Sequence, residues 1–221
     1  MRMTNDELRS LGKKLYSGLV CDVLDYFGFR SQSFTSSFPP VRGDMSVFGY
    51  AFTVQAERVD GMVDNALVNQ CASIDQVKPG DVYVLTTKDD DFSGAVWGEI
   101  MSTGVRAHGG VGAIINGTHR DTRQVLAMND FPVLSRGHLP TTSKGRTEIT
   151  AWNVPVTIDG ITIQPGDLIF GDIDGVVVIP SEISEKVLAR CLQIMENEDV
   201  TRDLIAKGAS VEETYMKIGT I

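Results

Sequence analysis

Four residues bracket one segment of the chain: Gly98-Glu99 at its start and Arg120-Asp121 at its end, with 20 residues between Glu99 and Arg120. Their chemistry is that of oxygen. Carboxylates such as Glu99 and Asp121 are hard ligands, and a pair suits Mg²⁺ or Mn²⁺, which take one or two carboxylates and keep several waters. Arg120 is permanently charged and can fork onto a carboxylate or a developing enolate oxygen. The backbone N–H groups of residues 98–101 fall at a predicted helix N-terminus, where they would accept an anion. Metal, guanidinium and helix N-terminus together would make a site for a 2-oxo acid. A plainer reading stands beside this one. An adjacent Arg-Asp pair is commonly a solvated ion pair, and Glu99 in a first helical turn would simply complement the helix dipole.

These residues can act together only if the elements between them bring the ends together. The pattern predicts a helix over 99–107, stopped by Gly109-Gly110. A short buried strand follows over 111–115, and Asn116-Gly117 reads as a turn. A helix start and a strand end can lie side by side in an α/β layer, so Glu99 and Asp121 can converge.

Around this unit the chain alternates helix and strand, then turns to hairpins. Thr4 and Glu7 form a capping box before Leu8, Leu11 and Leu15. A second amphipathic helix is expected over 17–27, stopped by Gly28, and 30–46 reads as a loop. A strand over 50–55, a helix over 64–72 and a strand over 82–86 after Pro79-Gly80-Asp81 come next. Beyond residue 121 we expect a helix over 122–128, a strand over 132–134 and a polar loop over 137–150. Asp159-Gly160 predicts a hairpin between 154–158 and 161–163. Strands over 168–170 and 176–179 follow, the first launched by Pro165-Gly166-Asp167, and Ser181 is expected to cap a long helix to about 197 before one or two shorter ones. This order predicts a mixed α/β sandwich and not a pure doubly wound sheet.

Composition narrows the function. The chain has 221 residues, 42% hydrophobic and 22% charged, enough for a sizeable core. A net charge of −9 repels phosphate backbones, so nucleic acid is not an expected partner. No apolar run approaches the roughly 18 residues of a membrane helix, and MRMTNDELRS lacks a signal-peptide core. Cys21, Cys71 and Cys191 are scattered and odd in number, which fits reduced thiols in a cytoplasm. There is no G-x-x-x-x-G-K-[ST] loop and no G-x-S-x-G elbow. Gly110-Val111-Gly112 opens like a dinucleotide fingerprint, but Ile115 stands where its third glycine belongs. His108, His119 and His138 have no metal-ligand spacing, and His119 reads as a hydrogen-bonded surface residue.

The Gly98-Glu99-x20-Arg120-Asp121 pattern resembles the G-[DE]-x20-R-D signature of the RraA-like family, which joins 4-hydroxy-4-methyl-2-oxoglutarate aldolase with the regulator of ribonuclease activity A. The similarity runs from about residue 17 to 215. It includes the helix around Cys21-Asp22-Val23, Gly80-Asp81-Val82, Phe131-Pro132-Val133, and Pro165-Gly166-Asp167 followed by Gly171-Asp172-x-Asp174-Gly175. The resemblance implies one domain over 1–221, a compact α-β-β-α sandwich of the swivelling β/β/α type with mixed sheets. N-terminal helices over about 4–28 and C-terminal helices over about 181–221 would pack on it or on neighbouring subunits of a homotrimer or hexamer.

It also implies a lyase: a divalent-metal-dependent pyruvate aldolase that also decarboxylates oxaloacetate, with sites at subunit interfaces. Asp121 would hold the metal, Arg120 would contact the keto oxygen, and Gly98, Ile100 and Met101 would bind substrate through backbone amides. Glu99 would contact a metal-bound water and serve as the route to a base. Glu196 or Glu198 is a candidate acid for the neighbouring site. This chain departs from the family's common pattern in carrying Glu99 for Asp, Asn116 for Asp and His119 for a small or apolar residue. Two rivals are a protein-binding regulator of an RNA-processing enzyme and a Schiff-base aldolase using Lys144 or Lys88. The family's methyltransferase label finds no glycine-rich adenosylmethionine loop here.

Overall fold

The computed structural model describes residues 2–62, 64–88 and 93–219. Its elements in chain order are α1 (Asn5–Gly12), α2 (Ser17–Tyr26), β1 (Val47–Arg58), α3 (Val68–Ile74), β2 (Asp81–Thr87), β3 (Ala95–Trp97) and α4 (Glu99–Ala107). Then come β4 (Gly112–His119), α5 (Thr122–Leu126), β5 (Val133–His138), β6 (Thr147–Trp152), β7 (Val156–Ile158) and β8 (Ile161–Ile163). The chain closes with β9 (Leu168–Gly171), β10 (Val176–Ile179), α6 (Ser184–Ala206) and α7 (Val211–Ile218).

Strands β10, β9, β1, β2, β4 and β3 follow one another across an eight-stranded sheet. β5 joins it at β4, β6 joins at β1, and β7 and β8 form a separate hairpin. Crossovers through α3, α4 and α5 make β1–β2, β3–β4 and β4–β5 parallel, whereas β1 pairs antiparallel with β6 and β9.

Alternation along the strands builds the layers. Tyr83 and Leu85 of β2 pack with Ile74, Val105 and Val125 from α3, α4 and α5. Val82 and Val84, on the opposite face, pack with Phe34, Phe38 and the β7–β8 hairpin. β9 and β10 alternate in turn. Ile169, Val176 and Val178 meet this second core, while Leu168, Phe170 and Ile179 pack on Leu8, Leu19, Val23 and Val187 of α1, α2 and α6. Helix, sheet, sheet, helix is the order of layers, so the chain is an α-β-β-α sandwich. Among the described residues no helix is long and apolar enough to cross a membrane.

Several local expectations are corrected. Asn116-Gly117 is not a turn, because β4 continues to His119 with β2, β3 and β5 paired along it. Three partner strands outweigh the turn preference of two residues. The polar loop over 137–150 gives way to β6, whose pairing with β1 extends that strand to Arg58. Ser181 does not cap α6, which starts at Ser184 behind Ile183 without a side-chain cap and runs to Ala206 instead of 197. The helix expected from 64 begins at Val68, and the strand expected from 154 begins at Val156, after Pro155. The loop over 30–46 contains only isolated bridges, Ser33 to Val177 and Pro40 to Leu134.

Candidate active site

β3 and β4 run parallel and end together. Trp97 is in register with His119, and the Arg120 N–H donates to the Trp97 carbonyl at 3.0 Å. Gly98 and Arg120-Asp121, the residues that leave these strands, are therefore neighbours at the C-terminal edge of a parallel layer. That is where α/β sheets bind ligands.

Gly98 precedes α4 in an extended conformation, φ −173° and ψ −172°, which any residue can adopt. A Cβ there would lie 2.7 Å from Asp121 Oδ2, so a larger residue would have to push that carboxylate aside. The Trp97 indole N–H donates to the Ser102 hydroxyl at 2.9 Å, and that hydroxyl donates to the Gly98 carbonyl at 3.0 Å. These bonds fix how the chain turns into the helix. No side chain caps α4, and the N–H groups of Glu99, Ile100 and Met101 have no intrahelical acceptor.

Asp121 takes the left-handed conformation, φ 58° and ψ 33°, which costs a non-glycine residue about 1 kcal/mol. Its carbonyl accepts from the N–H groups of Gln124 and Val125 at 2.9 and 3.0 Å, but its carboxylate caps nothing. The carboxylate is left facing Gly98. Arg120 Nε lies 3.8 Å from Asp121 Oδ2, and each side chain is about 40% exposed (41% and 39%). Among the described residues neither side chain has an ion-pair partner other than the other.

Gly98, Ile100, Met101, Arg120 and Asp121 border one cavity of about 190 Å³, closed on other sides by Gln70 and by Ser143 and Lys144 of the loop after β5. A cleft of about 350 Å³ beside α1 is larger, but both of its carboxylates are already paired, Asp44 with Arg42 at 2.6 Å and Asp130 with Arg106 at 3.0 Å. Size and chemistry disagree, and the chemistry favours the smaller space.

Of the residues expected in the site, Glu99 stands apart. Its carboxylate accepts from the Thr103 hydroxyl at 2.7 Å, one turn along α4, and it is not among the walls of the cavity. Lys144 borders the cavity as an exposed side chain, whereas Schiff-base lysines are held in desolvated pockets or beside other cations. Lys88 lies elsewhere, 3.4 Å from Glu57. Glu198 is held by the Tyr16 hydroxyl and Arg202, and its partner's proton is tightly bound: burial first, then Glu198, pushes the Tyr16 pKa up. Glu196 is an exposed residue of α6.

His119 is corrected from surface to interior. It is 4% exposed, with Nδ1 2.8 Å from Ser135 Oγ and Nε2 3.0 Å from Thr122 Oγ1. Burial, and then the neighbouring His138, lower its pKa. Only the unforeseen length of β4 carries residue 119 inside.

Among the described residues no three His, Cys, Asp or Glu side chains cluster as metal ligands. One aimed carboxylate with room beside it fits a hydrated hard cation that keeps most of its waters, and not a closed zinc cage.

Residues 18–178 match the sequence profile described as RraA-like: Aldolase/RraA. A protein of Halalkalibacterium halodurans, provisionally named a 4-hydroxy-4-methyl-2-oxoglutarate aldolase, is 32% identical over 183 residues, 83% of either chain. An uncharacterized protein of Pseudomonas syringae pv. tomato is 31% identical with a TM-score of 0.83, over 98% of this chain and 96% of that one. Streptomyces coelicolor RraAS2, described as an unusual member of the RNase ES inhibitor RraA protein family, is 27% identical with a TM-score of 0.76, over 91% and 98%.

Proposed function

The chain belongs to the RraA-like family, and from that premise we propose that it is a lyase, a divalent-cation-dependent aldolase that cleaves a 4-hydroxy-2-oxo acid to pyruvate and decarboxylates oxaloacetate. One observation carries this reading. Arg120 and Asp121 border a small cavity beside the open N–H groups of α4, with neither charge neutralised by further partners among the described residues.

A Mg²⁺ or Mn²⁺ ion held by Asp121 and waters would supply Lewis acidity at the substrate's 2-keto group. The remaining work falls to the chain. The N–H groups of Ile100 and Met101 hold the C1 carboxylate, as a helix N-terminus holds anions. Arg120 faces the keto oxygen and stabilises the negative charge that grows there as the C3–C4 bond breaks and a pyruvate enolate forms. In aldol cleavage the C4 hydroxyl proton must also leave. Glu99 receives it through water once it gives up its bond to Thr103. Oxaloacetate needs no such base, because CO₂ departs and the enolate is protonated afterwards. The exposed Val200, Leu204, Tyr215 and Met216 of α6 and α7 support association with further copies of the chain, which we propose to be a homotrimer or hexamer.

The test is turnover of oxaloacetate and 4-hydroxy-4-methyl-2-oxoglutarate by metal-stripped protein, before and after Mg²⁺ or Mn²⁺ is returned. Activity should vanish on stripping and come back with the cation. Borohydride with pyruvate should leave it intact. Absence of turnover with every divalent cation would sink the reading. It would leave the second one, a protein-binding regulator, which the resemblance to RraAS2 favours.

A further inference from the structure

We propose that His119 is a positioning residue that holds the Asp121 carboxylate toward the cavity by fixing the backbone on its C-terminal side. The inference deepens the reading above and rests on it for the role of Asp121.

The imidazole is hydrogen-bonded on both sides. The Ser135 hydroxyl donates to the Gly137 carbonyl at 3.1 Å, which uses its one proton. Ser135 Oγ also lies 2.8 Å from His119 Nδ1, within hydrogen-bond distance. On the other side Thr122 Oγ1 lies 3.0 Å from His119 Nε2, and a hydroxyl can pair with that nitrogen in either tautomer, because it can donate or accept. The chain Thr122 to His119 to Ser135 to Gly137 therefore ties the first residue of α5 across β4 to the buried face of β5.

Asp121 lies between two tied residues. On one side the Arg120 N–H is bonded to Trp97, and on the other Thr122 is bonded to His119. Besides these two ties, only the bonds of its own carbonyl to the Gln124 and Val125 N–H groups hold its left-handed backbone among the described residues. α5 is five residues long, and the Asp121 side chain makes no cap bond. Released from Thr122, Asp121 would keep only the bonds of its carbonyl to the first turn of this short helix, and its carboxylate would be freer to swing off Gly98. Groups that orient a cation-binding side chain are commonly worth 10–100-fold in affinity.

Two readouts test this. The Cα and Cβ chemical shifts of Asp121 report its backbone conformation with no cation present, and Mn²⁺ titration followed by electron paramagnetic resonance reports binding. Thr122→Val, which keeps the side chain's shape, and His119→Ala should both move the Asp121 shifts. Both should weaken Mn²⁺ roughly tenfold. Thr122→Ser should restore both, since it keeps the hydroxyl. Should His119→Ala not fold, Thr122→Val and Thr122→Ser still decide. Unchanged Asp121 shifts in folded Thr122→Val would overturn the positioning role, whatever the cation does. Moved shifts in a protein whose wild type binds no Mn²⁺ would uphold the positioning role and remove the cation-dependent reading instead.

Discussion

Arg120–Asp121 and Arg136–Asp159 are the same two chemical groups at nearly the same separation, 3.8 and 3.5 Å. Both aspartates are left-handed, with φ of 58° and 50°. Their surroundings differ completely. Arg136 is 17% exposed, donates through Nε to Asn116 Oδ1 at 2.9 Å, and lies over the Phe38 ring. Asp159, in the turn of the β7–β8 hairpin, accepts from the Ser36 N–H at 2.6 Å and the Ser36 hydroxyl at 2.9 Å. Partial burial pushes the Asp159 pKa up, but Ser36, the Arg136 charge and Thr35 outweigh it and hold the carboxyl below its ordinary value. That couple fastens the hairpin and the loop over 30–46 to the sheet. Its counterpart at Arg120 fastens nothing, and a ligand can take what the fold leaves unsatisfied. The lesson is that an ion pair's role lies in its remaining partners, not in its own distance.

Four substitutions or conditions would break or sharpen this contrast. Arg120→Ala should lower oxaloacetate decarboxylation by about 10²–10³, while the melting temperature stays near that of the wild type. A large fall in stability would put Arg120 in the structural class. Arg136→Ala should do the reverse. Removing a charged hydrogen-bond partner here should cost about 2–3 kcal/mol in urea unfolding, with kcat/KM nearly unchanged in the folded protein. Loss of activity at full stability would contradict the division.

Gly98→Ala should act more mildly. The backbone tolerates the change, but the new Cβ would displace the Asp121 carboxylate, so we expect roughly a tenfold loss of kcat/KM with folding intact. The smallest effect is one of pH. A depressed folded-state pKa means that Asp159 contributes stability above the ordinary value of about 3.9 and loses it as pH falls through the folded value. Comparing wild type with Asp159→Asn in urea from pH 6 to pH 3, the gap should be widest above about pH 5 and narrow below pH 4, by less than about 1 kcal/mol. A gap that is constant with pH would show that the carboxylate charge has no part in the fastening.

The residues themselves determined the types of the elements and the chemistry available. The helix over 99–107 begins and ends as its apolar spacing and Gly109-Gly110 require, Asp159-Gly160 turns its hairpin, and the carboxylates and guanidinium are legible as oxygen chemistry wherever they lie. These features depend on neighbours a few residues away. Which charges would converge, and which would be used up, depended on strands distant in the chain. The register of Trp97 with His119 brings Gly98 to Arg120-Asp121. Pairing on β4 overrides the turn preference of Asn116-Gly117 and carries His119 into the interior. The helical geometry of α4 lets Glu99 reach Thr103 instead of the cavity. Local preferences are worth a kcal/mol or less per residue, and a strand with several partners and two buried faces gains more than that. Tertiary pairing therefore decided the places where the two disagree, and the site is built at those places.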